Sequence, residues 1–138
     1  MINSRDLNDL HPVVAEKARQ FIEECKKEGI DILITSTYRD NAAQNNIYAQ
    51  GRTRPGRIVT YARGGQSFHN YRLAFDFVPL VGGKPDWKDI ELFKKCHDIG
   101  AKFGLHGLSF EMAHLQWDGG LTLAQLEAGK RPPEKATA

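Results

Sequence analysis

The chain has 138 residues, 41% of them hydrophobic, which suits one domain that buries its own core without disulfide staples and leaves no room for a second. Charged residues make up 26% and the formal net charge is +2, which excludes a disordered or polybasic class and names no partner. No segment approaches the roughly 18 apolar residues of a membrane span, and MINSRDLNDLHPVV lacks a basic start followed by an apolar run. The expectation is therefore a soluble monomer made in the cytoplasm, with no membrane insertion.

From Leu10 to about Glu28, the residues Leu10, Val14, Ala18, Phe21, Ile22 and Cys25 recur at three- and four-residue steps, predicting an amphipathic helix closed by Gly29. Ile30 to Thr37 is rich in β-branched residues and nearly continuous in its apolar character, which predicts a strand buried on both faces. It ends at Tyr38-Arg39. Asp40 or Asn41 can cap a second helix over Ala42 to Gln50, with Gly51 as its stop.

Residues 51–66, GRTRPGRIVTYARGGQ, carry four glycines, one proline and four arginines, the composition of a long surface loop. No acidic residue stands between Asp40 and Asp76, whereas Arg52, Arg54, Arg57, Arg63 and Arg72 do. This cationic stretch is either a solvated loop or a surface that meets an anionic polymer.

Leu73 to Leu80 reads as a strand with Phe75 and Phe77 on one face and Ala74, Asp76 and Val78 on the other. VGGKPD makes a turn, and a helix beginning at Asp86 or Trp87 carries Ile90, Phe93, Cys96, Ile99 and Phe103 on its apolar side before Gly104. Leu105 to Trp117 suits a hairpin, Leu121 to Ala128 a last short helix, and residues 131–138 a flexible tail after a domain spanning 1–130. Cys25 and Cys96 lie in helical runs without CxxC spacing and read as buried thiols. The whole is an α+β arrangement, helices around a small antiparallel sheet.

Among five histidines, His11, His97 and His106 have a structural or exposed role as the default reading. His69 and His114 differ, because each has a carboxylate at short range and sits at an edge between loop and strand. Asp76 follows His69 by seven residues, so a turn at 70–72 lets the two side chains converge. Glu111 and His114 are three apart and would face opposite sides of a straight strand, so a shared cleft requires a bend at Met112-Ala113. Two imidazoles and an aspartate suit zinc, and an unliganded glutamate beside a water can act as general base and then general acid. Without a metal the same residues would be an ordinary polar cluster. Arg39, permanently charged after a predicted strand, could hold an oxyanion or a carboxylate, or could make an ion pair with Asp40 or Glu111.

The segment TYRDNAAQNNIYAQGRTRPGRIVTYARGGQSFHNYRLAFDFVP, followed by FEMAHLQW, resembles the peptidoglycan-cleaving zinc peptidases of the D-Ala-D-Ala carboxypeptidase and L-alanyl-D-glutamate endopeptidase family. The likeness runs from about Ile30 to Trp117 and rests on an ordered set: Ser-x-His, an Asp seven residues after the His, then acidic-x-x-His. It implies a Hedgehog/DD-peptidase-like fold, zinc held by His69, Asp76 and His114, and Glu111 as acid/base. It also implies that Arg39, Tyr38, Gln44 and Ser67 line the substrate cleft. The GRTRPGRIVT stretch looks most like the L-alanyl-D-glutamate endopeptidases, including single-domain phage endolysins. Arg72 stands where the family usually has glycine, and Leu105 to Ser109 replaces a Trp-Gly-Gly-x-Trp stretch.

The resemblance thus implies a bacteriolytic, endolysin-type zinc metallopeptidase that acts on the stem peptide of the cell wall after release from the cytoplasm. A D-alanyl-D-alanine carboxypeptidase is the rival within the class. A non-catalytic wall-binding module is the rival outside it, and a nucleic-acid binder using Arg52 to Arg72 would show salt-sensitive retention without zinc.

Overall fold

The computed structural model describes residues 1–109 and 111–135. Helix α1 (Pro12–Lys27) starts where the His11 ring accepts a hydrogen bond from the Val13 amide and Pro12 presets the first helical φ. It stops at Gly29, whose φ of 78° is left-handed. Its buried face, Val14, Ala18, Phe21 and Cys25, lies on the sheet.

The sheet is antiparallel, with β1 (Asp31–Ser36), β2 (Ala74–Val81), β5 (Glu111–Gln116) and β4 (His106–Leu108) in that spatial order, and the short β3 (Lys84–Pro85) turning back onto β2. Gly82 and Gly83 both have positive φ, as the two-residue turn between Val81 and Lys84 requires. Central β2 carries the core: Phe75 and Phe77 meet Phe21 at 5.9 and 5.2 Å between ring centroids, and Phe77 meets Phe93 at 5.6 Å. Each such ring contributes about 1.5–3 kcal/mol by leaving water. Helix α3 (Ile90–Ala101) supplies Phe93, Cys96 and Ile99 to the same core. Cys25 and Cys96 are buried free thiols, and contact with Cys96 together with burial pushes the Cys25 thiol far up.

Three expectations need adjustment. Strand β1 is not buried on both faces: it is an edge strand of the sheet, with Asp31 and Leu33 exposed while Ile32 and Ile34 pack on the core, so its apolar run conceals an alternation. Helix α3 begins later than Asp86 or Trp87, because Asp89 caps it and Asp86 holds the turn before it. In the expected tail, Pro132 is buried and its carbonyl lies 3.4 Å from the His11 ring, while Arg131 stacks over Tyr71; residues 136–138 lie outside the described residues. Helix α2 (Asn41–Ala49), capped by Asp40, and α4 (Leu123–Glu127), capped by Thr122 with Gln125, fall where the sequence puts them.

Candidate metal centre and cleft

His69 sits on a 3-10 turn, Phe68–Tyr71, that Ser67 caps through its hydroxyl, which accepts from the His69 amide at 3.2 Å. The turn ends at Arg72, whose φ of 65° makes it the one non-glycine residue with positive φ among the described residues. That left-handed step, which glycine takes without steric cost, sends the chain into β2. Asp76 then projects from the face of β2 opposite Phe75 and Phe77. Across the sheet its register partner is His114 of β5.

The three side chains converge. Asp76 Oδ1 lies 3.1 Å from His69 Nε2 and 3.5 Å from His114 Nδ1, and one ligand atom from each residue falls within 4.8 Å of the others. Both imidazoles are buried, with 3% and 2% exposure.

The other ring nitrogens are already engaged. His69 Nδ1 is 2.8 Å from the Thr37 carbonyl, which can only accept, so this nitrogen carries the proton. His114 Nε2 is likewise 2.7 Å from Gln116 Oε1. A neutral imidazole then has only a lone pair left, and both lone pairs face the Asp76 carboxylate. His114 Nδ1 is buried and, among the described residues, has no hydrogen-bond partner. Electron-rich atoms gathered this closely require a cation, either protons or a metal, and two imidazoles with a carboxylate fit zinc. The metal-free electrostatics agree: burial pushes the Asp76 carboxyl up, but the His69 and His114 rings outweigh it and hold it well below the usual range. Burial lowers the His114 pKa, and Asp76 together with Gln116 and Glu111 more than reverses this, leaving it raised.

Glu111 joins the group through an irregular strand. From His106 to Leu108 β4 advances two residues while β5 advances five, from Gln116 to Glu111. This bulge supplies the bend at Met112-Ala113, and Glu111 Oε2 reaches 3.6 Å from His114 Nδ1. Behind the bulge, His97 Nε2 donates to the Met112 carbonyl at 2.6 Å, which gives a histidine read as structural a specific task.

Arg39 is 8% exposed and lines the cleft. Its Nη1 donates to Gln44 Oε1 at 2.9 Å, and Nη2 donates to Ser36 Oγ at 3.1 Å and lies 3.6 Å from Asp76 Oδ2. The Arg39 ion pair is thus with Asp76, not with Asp40 or Glu111. Burial lowers its pKa, and Asp76 and Glu111 oppose that. Among the described residues its Nε has no hydrogen-bond partner.

Ser67 lines this cavity, whereas Gln44 and Tyr38 do not. Gln44 is fully buried behind Arg39, anchored to the Ala62 carbonyl at 2.8 Å, and Tyr38 stacks under Arg72 with the guanidinium carbon 3.9 Å from the ring centroid. Sequence reasoning passed over Thr37 and Gln116. The first acts through its backbone and leaves no side-chain signal; the second stands two residues after His114, a spacing that in a strand means the same face.

The cleft encloses about 590 Å³, and residues 59–62 of the arginine loop form one wall of it. Arg52 and Arg54 of that loop donate to the Tyr48 and Asn46 carbonyls near the end of α2. Among the described residues none of Arg52, Arg54, Arg57 and Arg63 pairs with a carboxylate.

Comparison with known families matches residues 7–119 to VanY, D-alanyl-D-alanine carboxypeptidase. The peptidoglycan L-alanyl-D-glutamate endopeptidase CwlK of Bacillus subtilis (strain 168) is 50% identical over 112 residues, covering 70% of this chain and 66% of that protein, just under two thirds of its length. Two solved structures share the fold. The vancomycin-resistance D,D-pentapeptidase VanY of a VanB-type cassette, a point mutant in complex with Zn(II), aligns with a TM-score of 0.60 at 16% identity over 83% of this chain and 76% of that one. The LD-carboxypeptidase LdcB aligns with a TM-score of 0.64 at 19% identity over 86% and 64%. A match across most of the domain, joined to half-identity with a curated relative, decides the kinship: the chain belongs to the VanY family of D-alanyl-D-alanine carboxypeptidases.

Proposed function

We propose that the protein is a zinc-dependent peptidoglycan peptidase that hydrolyses the L-alanyl-D-glutamate bond of the stem peptide. One observation carries the reading: His69, Asp76 and His114 gather their lone pairs within 4.8 Å, with a free carboxylate, Glu111, 3.6 Å from one of them. His69, Asp76 and His114 would hold the metal, which would supply Lewis acidity toward the scissile carbonyl and lower the pKa of a water. Glu111 takes the proton of the attacking water and delivers it to the leaving amine of D-glutamate. Arg39, whose buried Nε has no hydrogen-bond partner among the described residues, offers positive charge to the oxyanion that forms. Ser67 and the 59–62 wall bound the substrate in the cleft.

The choice of bond is supported by the half-identity with a relative named for L-alanyl-D-glutamate cleavage, and the family's own description keeps D-alanyl-D-alanine trimming as the competing outcome. We further propose a monomer that acts on the wall after release, as a lytic enzyme of the endolysin type, with the cationic loop facing an anionic surface. The test is digestion of purified wall followed by mass spectrometry of the products. New L-alanine C-termini with D-glutamate N-termini are expected; free D-alanine as the product would overturn the bond assignment, and an unaltered wall the reading itself.

A further inference from the structure

The family match begins at residue 7, yet residues 2–6 run antiparallel to the segment that presents Arg39. The Thr37 amide donates to the Ser4 carbonyl at 2.7 Å, the Ser4 amide to the Tyr38 carbonyl at 2.8 Å, and the Asp40 amide to the Ile2 carbonyl at 2.9 Å. Two side chains tighten this edge: Thr37 Oγ1 donates to the Asp6 carbonyl at 2.9 Å, and Asp40 Oδ2 accepts from the Ile2 amide at 2.8 Å. The clamped peptide serves the site twice. Its Thr37 carbonyl receives the His69 Nδ1 proton, and its Arg39 side chain enters the cleft.

A side-chain relay crosses from the clamp into the site. Ser36 Oγ has a single proton, which it gives to Asn3 Oδ1 at 3.0 Å. Its lone pairs therefore face Arg39 Nη2, 3.1 Å away. Ser36 is buried and Asn3 exposed, so the relay runs from the surface to a guanidinium otherwise held by Gln44 and Asp76. Removing Asn3 frees the hydroxyl to rotate; removing Ser36 deletes one of three contacts that fix the direction of the arginine.

We propose that Asn3 and Ser36 are positioning residues for Arg39, and that the segment 2–6 is a built part of the site, although it lies outside the family match. The inference rests on Arg39 acting in the cleft, so the experiment carries two readouts. The first is steady-state kinetics on a soluble stem peptide with zinc content measured in parallel. Asn3→Ala and Ser36→Ala are expected to lower kcat by about 10-fold, with KM and one zinc per chain retained, because the oxyanion contact matters in the transition state. Asn3→Asp, which keeps the acceptor oxygen, restores the rate. Asn3→Ala has little further effect when added to Ser36→Ala, since the relay is already broken.

The second readout is modification of Arg39 by phenylglyoxal, followed by peptide mass spectrometry on zinc-loaded and metal-free protein. The two alanine variants are expected to react several-fold faster at Arg39 and Asn3→Asp at the wild-type rate. Unchanged modification and kcat in Asn3→Ala overturn the proposal, as does additivity of the two alanine changes. A fall in rate that tracks lost zinc or a lowered Tm overturns it too, by making the residues merely structural. If wild-type protein fails to cut the peptide, the peptidase reading falls, and the modification rates still decide the positioning.

Discussion

Asp76 and His114 are register partners on adjacent antiparallel strands, and their side chains meet at 3.5 Å between Oδ1 and Nδ1. Two of the three metal-type ligands are therefore placed by sheet pairing itself, on the two innermost strands. The third, His69, arrives from a capped turn seven residues before Asp76. A one-residue slip between β2 and β5 would carry one ligand to the opposite face.

Glu111 touches His114 without being needed to gather the three ligands. Glu111→Gln should lower turnover on wall by about 10²- to 10⁴-fold, the usual contribution of a general acid/base, while zinc stays at one per chain. Turnover and metal analysis on the same preparation check this. A variant that retains wild-type turnover would remove Glu111 from the mechanism.

Metal removal should change the pH dependence of stability as well as its size. The pKa of Asp76 is held below its unfolded value of about 3.9, so its contribution is present above that pH and is lost as pH falls through the folded value. The pKa of His114 is raised above about 6.5, so its contribution is fully present below that pH and is lost as pH rises through the folded value. Together they favour metal-free protein between about pH 4 and 6.5. Zinc needs the neutral His114 ring, so its stabilisation, about 4 kcal/mol at a thousandfold excess over Kd, grows as pH rises. Thermal melts from pH 4 to 9, with zinc and with chelator, should therefore show an upward shift in the optimum. Coincident optima would contradict it.

Gly107 has no space for a side chain, since a Cβ there would overlap the Cε1–Nδ1 edge of the His97 ring and lie 3.1 Å from the His114 carbonyl. Gly107→Ala should destabilise by about 1–3 kcal/mol through overpacking and should displace His97 from the Met112 carbonyl. In a His97→Ala background the same change should be much milder. Urea midpoints of the two single variants and the double variant read the coupling; simple additivity would speak against the clash.

Arg72 holds a left-handed conformation that costs an ordinary residue about 1–2 kcal/mol. It gains a stack over Tyr38 and a hydrogen bond to the Asp9 carbonyl at 2.8 Å. Arg72→Gly exchanges those contacts for the relieved strain and should stay within about 1 kcal/mol of wild type, whereas Arg72→Ala loses the contacts, keeps the strain and should fall by about 1–2 kcal/mol. Denaturation that ranks alanine above glycine would refute the account.

Much of this was legible in the residues. The helices announced themselves by apolar spacing and by Asp40, Gly29 and Gly104, and the ligand order emerged from His69, Asp76, Glu111 and His114. Three things were hidden for physical reasons. The edge position of β1 depends on which strands pair, and an apolar run such as ILI does not state that. Gln44 has the polarity of a cleft residue, and only packing turns it inward to serve Arg39. Half of the hydrogen bonds that pair residues 2–6 with 36–40 run from backbone to backbone, which any sequence could supply.

Glu-x-x-His invites a helical reading, since residues three apart on a helix are neighbours. In this protein the interval instead measures how much slack β5 holds relative to β4 between Glu111 and Gln116. Deleting one residue there would shorten the slack and swing the acid away from its histidine, leaving the two paired ligands of the innermost strands untouched. Strand length at that point is thus an adjustable quantity that, on the proposed mechanism, would separate metal capture from proton transfer, and length variants, more cleanly than point substitutions, would vary one while holding the other.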